Sequence, residues 1–390
     1  MVASRLVPHL TGLGTTIFAE MSALATSTGA INLGQGFPDV DGPPSVARAA
    51  ADAVETGRGN QYPPGLGIPE LRTAIAKHQE QYGLTYDVDS EVLVTAGATE
   101  GIAAAMLAFV DTGDEVLALE PFYDSYRATI AMARGQCVPI RLQPPDFRLD
   151  VERLGAAVSA KTKVLLLNSP HNPTGMVLTA EELTAIAEVA VEHDLIVVSD
   201  EVYEHLSFGV AHTPIATLPG MRERTVTLSS AGKSFSFTGW KVGWATGPAD
   251  LISDVRTTKQ FLTFVSAGPF QYAVAHALTH EMEWVEQLSA SLANRRDQLC
   301  DGLAQLGMEV FRPEGTYFVT TDVGPLGFDD AMTFCRELPR RCGVVAVPCS
   351  VFYDTPGAHE KRLVRWTFSK QESVLADALH RLSALRNGAN

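Results

Sequence analysis

Cysteine is scarce and scattered in this chain. Five thiols in 390 residues, at 137, 300, 335, 342 and 349, form no C-x-x-C pair, and no histidine cluster stands at zinc spacing. Neither a disulfide framework nor a metal centre is therefore expected, and the thiols read as reduced ones in a cytoplasmic protein. Positive charge is also short: 30 Lys and Arg against 45 Asp and Glu leave a net charge of −15. That balance repels a phosphate backbone and excludes a nucleic-acid binder working by an electrostatic footprint. Nowhere do 18 uninterrupted apolar residues occur, and the start "MVASRLVPHLTGLGTTIF" has no continuous apolar core. Neither a spanning helix nor a secretory leader is expected. An internal repeat, a low-complexity tract and a Pro/Gly/Ser linker are missing as well, which excludes a solenoid or an array of tethered modules.

What the chain does have is apolar mass in short blocks. Hydrophobic residues make up 46% and charged ones 19%, as in a well-buried α/β enzyme, and the length suits one large domain with a smaller one attached. "EVLVTAG" (91–97), "EVLALEPF" (115–122), "KVLLLNSP" (163–170), "LIVVSDE" (195–201) and "TVTLSSAG" (225–232) read as strands. Those with consecutive apolar residues need cover on both faces, as parallel strands do. Ligands in such sheets bind at the carboxyl ends of the strands, where Asn168, Asp200 and Ser230 fall. Beyond about residue 285 a long helix pattern precedes short strands and a closing helix. The expected division is a large domain over 45–280 and a small α+β domain made from 1–44 and 281–390.

"SSAGKSFSFTGWKVGW" (229–244) carries two lysines among small and aromatic residues. Its "GKS" resembles the tail of a P-loop, but the glycine that motif needs at position 227 is Thr227. Asn172 in the turn "NSPHNPTG", Asp200 at the end of a buried strand and Lys233 instead make one chemical sense together. They are the kit of a pyridoxal phosphate site: an amine for the aldehyde, a carboxylate for the pyridine nitrogen and an amide for the ring hydroxyl. Each alone has a blander reading, as a turn, a helix cap and a solvated charge.

Together with "INLGQGFPD", "NQYPPGLGIPELR", "EPFYDSY", "SDEVYEHL" and "LVRWTFSK", these segments resemble the class I aminotransferases of the fold-type I pyridoxal phosphate superfamily over nearly the whole chain. The resemblance implies an α/β fold with a large, mostly parallel seven-stranded sheet, a smaller α+β domain, and a homodimer with shared active sites. It implies Lys233 as the Schiff-base lysine, Asp200 against the pyridine nitrogen, Asn172 and Tyr203 at the ring hydroxyl, and Tyr123 on the ring face. Ala98, Thr99, Ser230 and Lys241 would hold the phosphate, reached by Tyr62 of the second subunit. Arg365 would take the substrate carboxylate as a bidentate pair, supported by Asn168, with Gly36 approaching by its backbone. Within the family the wording is most similar to actinobacterial N-succinyldiaminopimelate aminotransferases of lysine synthesis. Lys259, Arg127 and Arg5 are conceivable cations for the distal carboxylates of that substrate. A methionine-, glutamine- or kynurenine-type aminotransferase and a carbon–sulfur β-lyase are the alternatives. Val265 stands where kynurenine and glutamine transaminases carry a histidine.

Overall fold

The five apolar blocks form the centre of one sheet. The computed structural model describes residues 6–388 apart from 12, 14 and 15. In chain order its strands are β1 (Ile31–Asn32), β2 (Val92–Thr95), β3 (Glu115–Glu120), β4 (Gln136–Arg141), β5 (Thr162–Asn168), β6 (Ile196–Asp200), β7 (Thr225–Ser230) and β8 (Gly243–Thr246). They continue as β9 (Glu309–Phe311), β10 (Phe318–Asp322), β11 (Val344–Val345), β12 (Val347–Pro348) and β13 (Leu363–Thr367). Strands β2 to β8 make a seven-stranded sheet in the order β2-β8-β7-β6-β5-β3-β4. All neighbours from β7 to β4 run parallel, and β8 is antiparallel to both β2 and β7.

Parallel strands need a crossover between each pair, and the helices supply it while covering both faces. Leu165, Leu166, Val197, Val198, Val226 and Leu228 are buried. The helix Gly97–Phe109 lies on the sheet with Ala104 and Ala105 fully buried, small residues that permit close approach. The helix Ala180–Glu192 starts with a capping box, Thr179 taking the Glu182 N–H and Glu182 returning to the Thr179 N–H. The register sets functional residues side by side: Asn168 on β5 is the Cα partner of Asp200 on β6.

A second sheet runs β12-β13-β10-β9, all antiparallel. The early strand β1 pairs with the late β11, Ile31 opposite Val344, so the N-terminal segment is held against the C-terminal part. Arg365, in the middle of β13, lies opposite Thr320 and Val347. Among the described residues no helix is long and apolar enough to cross a membrane.

Candidate active site

The carboxyl ends of the sheet open onto a cavity of about 370 Å³. At one end the chain leaves β2 through Gly97, whose φ of 74° suits glycine, and enters the helix Gly97–Phe109. The first amides of a helix have no partner within it, so the Ala98 and Thr99 N–H groups are free to meet an anion. Glu100 accepts instead from the Ala96 N–H at 2.6 Å. The Lys241 ammonium stands over the same turn, 3.1 Å from where a Cβ on Gly97 would lie. Burial, reinforced by the charge of Lys233, holds the Lys241 pKa below its ordinary value. Ser230 caps the short helix Ala231–Ser234 without a side-chain cap bond, and its residue lines the cavity. Two amides, a hydroxyl and an ammonium form a cradle for a tetrahedral anion.

In the middle of the cavity lies Asp200, buried at the end of β6. Tyr126 donates to its Oδ2 at 2.6 Å and the Val202 N–H to its Oδ1 at 3.3 Å. Burial raises its pKa to about 6 against the Tyr126 bond, the Val202 bond and the charge of Lys233. A cation at this carboxylate would restore the ionised form. Tyr203 is buried beside it, its ring 5.3 Å from that of Tyr317, and burial above all keeps its phenol protonated and able to donate. Tyr123 lines the wall, its pKa pushed up to about 12 by burial and by Asp124. Lys233 Nζ lies 5.8 Å from both the Tyr203 and Tyr317 ring centroids, and among the described residues no hydrogen bond or ion pair engages it.

Arg365 forms the other pole. It is 2% exposed, and its guanidinium lies 3.9 Å from the Phe318 ring centroid. It donates to Asn172 Oδ1 and to the Gly34 carbonyl, each at 2.9 Å, while Nε has no partner. No carboxylate pairs with it among the described residues, and burial lowers its pKa. A buried, unpaired cation is costly and waits for an anion. Gly36 borders this pole because a Cβ there would lie 2.2 Å from the Phe318 ring, and its carbonyl accepts from the Tyr317 hydroxyl at 2.6 Å.

Asn168 sits one step further back than the sequence suggests. Its amide donates to the Asp200 carbonyl at 2.9 Å and its Oδ1 accepts from the Asn172 N–H at 2.8 Å. Asn172 is therefore the residue that touches Arg365, and Asn168 acts through it. Tyr62 does not line this cavity: it is 82% exposed, its ring 5.5 Å from that of Phe264. Of the conceivable distal cations, Lys259 is buried and donates to the Phe264 carbonyl at 2.8 Å, and Arg127 pairs with Asp354 at 2.9 Å. Neither lines the cavity, nor does Val265, and Arg5 lies outside the described residues. Sequence reasoning missed Tyr126, Phe18 and Phe318. Tyr126 carried a usable signal, three places after Tyr123 and in the first turn of the helix Asp124–Met132.

The cavity thus has a cradle for a phosphate, a carboxylate for a ring nitrogen, a free amine and a guanidinium for a carboxylate. Among its described lining residues Asp200 is the one acid, against Lys233, Lys241 and Arg365. This set fits pyridoxal phosphate with an amino acid beside it. The model of the family "Aminotransferase class I and II" matches residues 28–382. A Mycobacterium tuberculosis protein named "Probable N-succinyldiaminopimelate aminotransferase DapC" is 52% identical, over 99% of this chain and 98% of that one. The methionine aminotransferase of Escherichia coli is 42% identical, over 99% of this chain and all of that one. The solved structure of N-succinyldiaminopimelate aminotransferase from Mycobacterium tuberculosis superposes with a TM-score of 0.95 at 53% identity, over 97% of this chain and 100% of that one. The chain belongs to the class I and II aminotransferases, and its cofactor is pyridoxal phosphate.

Proposed function

We propose that this aminotransferase moves the amino group of N-succinyl-LL-diaminopimelate to 2-oxoglutarate, as a cytoplasmic homodimer. The observation that carries the amino-acid half of this reading is the buried guanidinium of Arg365, which no carboxylate of the described residues pairs and whose Nε has no partner. The substrate itself rests on the 52% identical Mycobacterium tuberculosis relative.

In this reading Ala98, Thr99, Ser230 and Lys241 hold the cofactor phosphate, with Tyr62 of the second protomer completing the cradle. Asp200 keeps the pyridine nitrogen protonated, Tyr203 and the Asn172 amide donate to the ring hydroxyl, and Tyr123 covers a ring face. Bound pyridoxal phosphate supplies the electron sink for charge developing at the substrate α-carbon. Lys233 Nζ, free of other bonds, takes the α-proton as general base and returns it as general acid. Arg365 fixes the α-carboxylate in two bonds, which orients the α-hydrogen toward Lys233. The proposed division into a 45–280 domain and a 1–44 plus 281–390 domain is supported by the two sheets, which draw on separate stretches of chain. The dimer is supported by Tyr62, Phe261 and Phe264, large rings exposed close together in sequence or space. Five free cysteines support a reducing compartment.

A half-reaction panel tests the assignment. Loss of the bound cofactor's visible absorbance is followed on adding N-succinyl-LL-diaminopimelate, methionine, glutamine, kynurenine or cystathionine. A response to the first at the lowest concentration supports the proposal. Silence toward it with a rapid response to methionine would move the assignment toward the function named for the Escherichia coli relative. Pyruvate release from cystathionine without an oxo acid would indicate the lyase.

A further inference from the structure

The segment that supplies Asp200 and Tyr203 to the cavity also carries Glu201, Glu204 and His205, and these three do not line it. Glu204 is buried, with Oε1 accepting from Ser229 Oγ at 2.5 Å and Oε2 from the Tyr82 hydroxyl at 3.0 Å. No lysine or arginine pairs with it among the described residues. His78, near the end of the helix Pro69–Gln79, and His205 bring their Nε2 atoms to 2.9 Å, and Glu204 Oε1 lies 4.0 Å from His205 Nε2. The side-chain amide of Gln81 reaches His78 Nε2 at 2.8 Å. The neighbouring His212 is bound to Glu201 at 2.9 Å.

Two imidazoles and a carboxylate, with all three donor atoms within 4.8 Å of one another, are a ligand set for a borderline cation. Tetrahedral ligands around zinc stand roughly 3.3 Å apart, and the 2.9 and 4.0 Å separations bracket that spacing. We propose that His78, His205 and Glu204 bind a divalent transition cation of the zinc class, with water or the Gln81 side-chain oxygen in the fourth position. The surroundings suit it. Ser229 and Tyr82 orient the carboxylate and leave each oxygen a lone pair, and the Gln79 amide stands 3.4 Å from His78 Nδ1 on the far side of that ring. The His205 side chain is 11% exposed, which gives the ion an entry. The cation would tie the helix Pro69–Gln79 to the turn just past Asp200 and Tyr203. No sequence spacing announces the site, because its histidines are 127 positions apart.

The test uses the holoenzyme, stripped with chelator and titrated with Co²⁺ and then Zn²⁺. The proposal expects one equivalent of Co²⁺ to give the visible bands of four-coordinate cobalt, Zn²⁺ to displace them, and added Zn²⁺ but not Mg²⁺ to raise Tm. His78→Gln and His205→Gln should each abolish the bands while transamination continues, and Tyr82→Phe should weaken binding by about tenfold. Far-UV circular dichroism identifies a variant that has not folded, and the other then carries the comparison. Absence of the bands in the native protein, or bands unchanged in a folded histidine variant, would overturn the proposal and leave a hydrogen-bonded histidine pair only.

Discussion

At the scale of single residues, the cavity is a set of incomplete bonds. Arg365 has spent two of its donors on Asn172 and Gly34 and keeps Nε unpaired. A lysine at this position would keep the charge and lose the planar fork. Arg365→Lys should therefore weaken transition-state binding of amino donors by about 2 to 3 kcal/mol, on the order of 100-fold in kcat/KM. Steady-state kinetics with the preferred donor checks this, and an unchanged kcat/KM would detach Arg365 from the substrate. Tyr126 supports a different prediction, because its hydroxyl is the strongest influence opposing burial at Asp200. The folded Asp200 pKa of about 6 lies above its ordinary 3.8, so between those values the cofactor-free native protein holds a proton that the unfolded chain has lost. Its stability falls as pH rises through that window. In the proposed site a pyridinium needs the ionised Asp200 carboxylate, so cofactor affinity should fall as pH drops below about 6, by up to about tenfold per unit. Tyr126→Phe removes a bond to the ionised form, and the loss of affinity should begin at a higher pH. Fluorescence titration of the cofactor-free protein with pyridoxal phosphate across pH measures it. Superimposable profiles for the two proteins would exclude this role for Tyr126.

At the scale of elements, the meeting of β2 with the helix Gly97–Phe109 makes the anion cradle. Gly97→Ala would force a side chain into a left-handed backbone, at about 1 to 2 kcal/mol, and toward the Lys241 ammonium. The expected result is a lower Tm, together with a preference for pyridoxal phosphate over pyridoxal that narrows on the order of tenfold as one charged bond to the phosphate is lost. A preference that stays unchanged would place the phosphate elsewhere. β2 was legible in "EVLVTAG", as were β3, β5, β6 and β7 in their own runs, because each is an apolar block ending in small or polar residues. β4 was not: "QCVPIR" is an edge strand with Pro139 in it and only Ile140 fully buried. β8 was not either, since "GWAT" is four residues long and its strand character comes from the antiparallel partners on both sides. The same contrast holds in the cavity. Asn168, Asp200 and Ser230 are readable because strand ends face ligands in such sheets. Phe18, Phe318 and the Asn172–Arg365 bond are set by the packing of distant segments, which no local pattern encodes.

At the scale of the whole molecule, a chain of net charge −15 encloses a cavity with three cationic side chains and one carboxylate. The surface discourages polyanions while the site attracts small ones, which suits anionic amino and oxo acids. Tyr62 stands outside the cavity, and among the described residues no further cation for a distal carboxylate lines it. Phe261, 83% exposed, lies beside Leu262 and Phe264 in the same exposed stretch, an apolar surface that a second protomer would cover. Phe261→Glu places a charge on that surface without touching the core, so the fold should persist while association fails. Sedimentation should then give the 41.9 kDa chain where the proposed native dimer is expected at twice that mass. Transamination and cofactor retention should fall together with dimer content as the variant is diluted, because in the proposed dimer Tyr62 would reach the phosphate across the interface. A variant that stays dimeric would move the interface away from residues 261–264, and a fully active monomer would show that the cavity of one chain is sufficient.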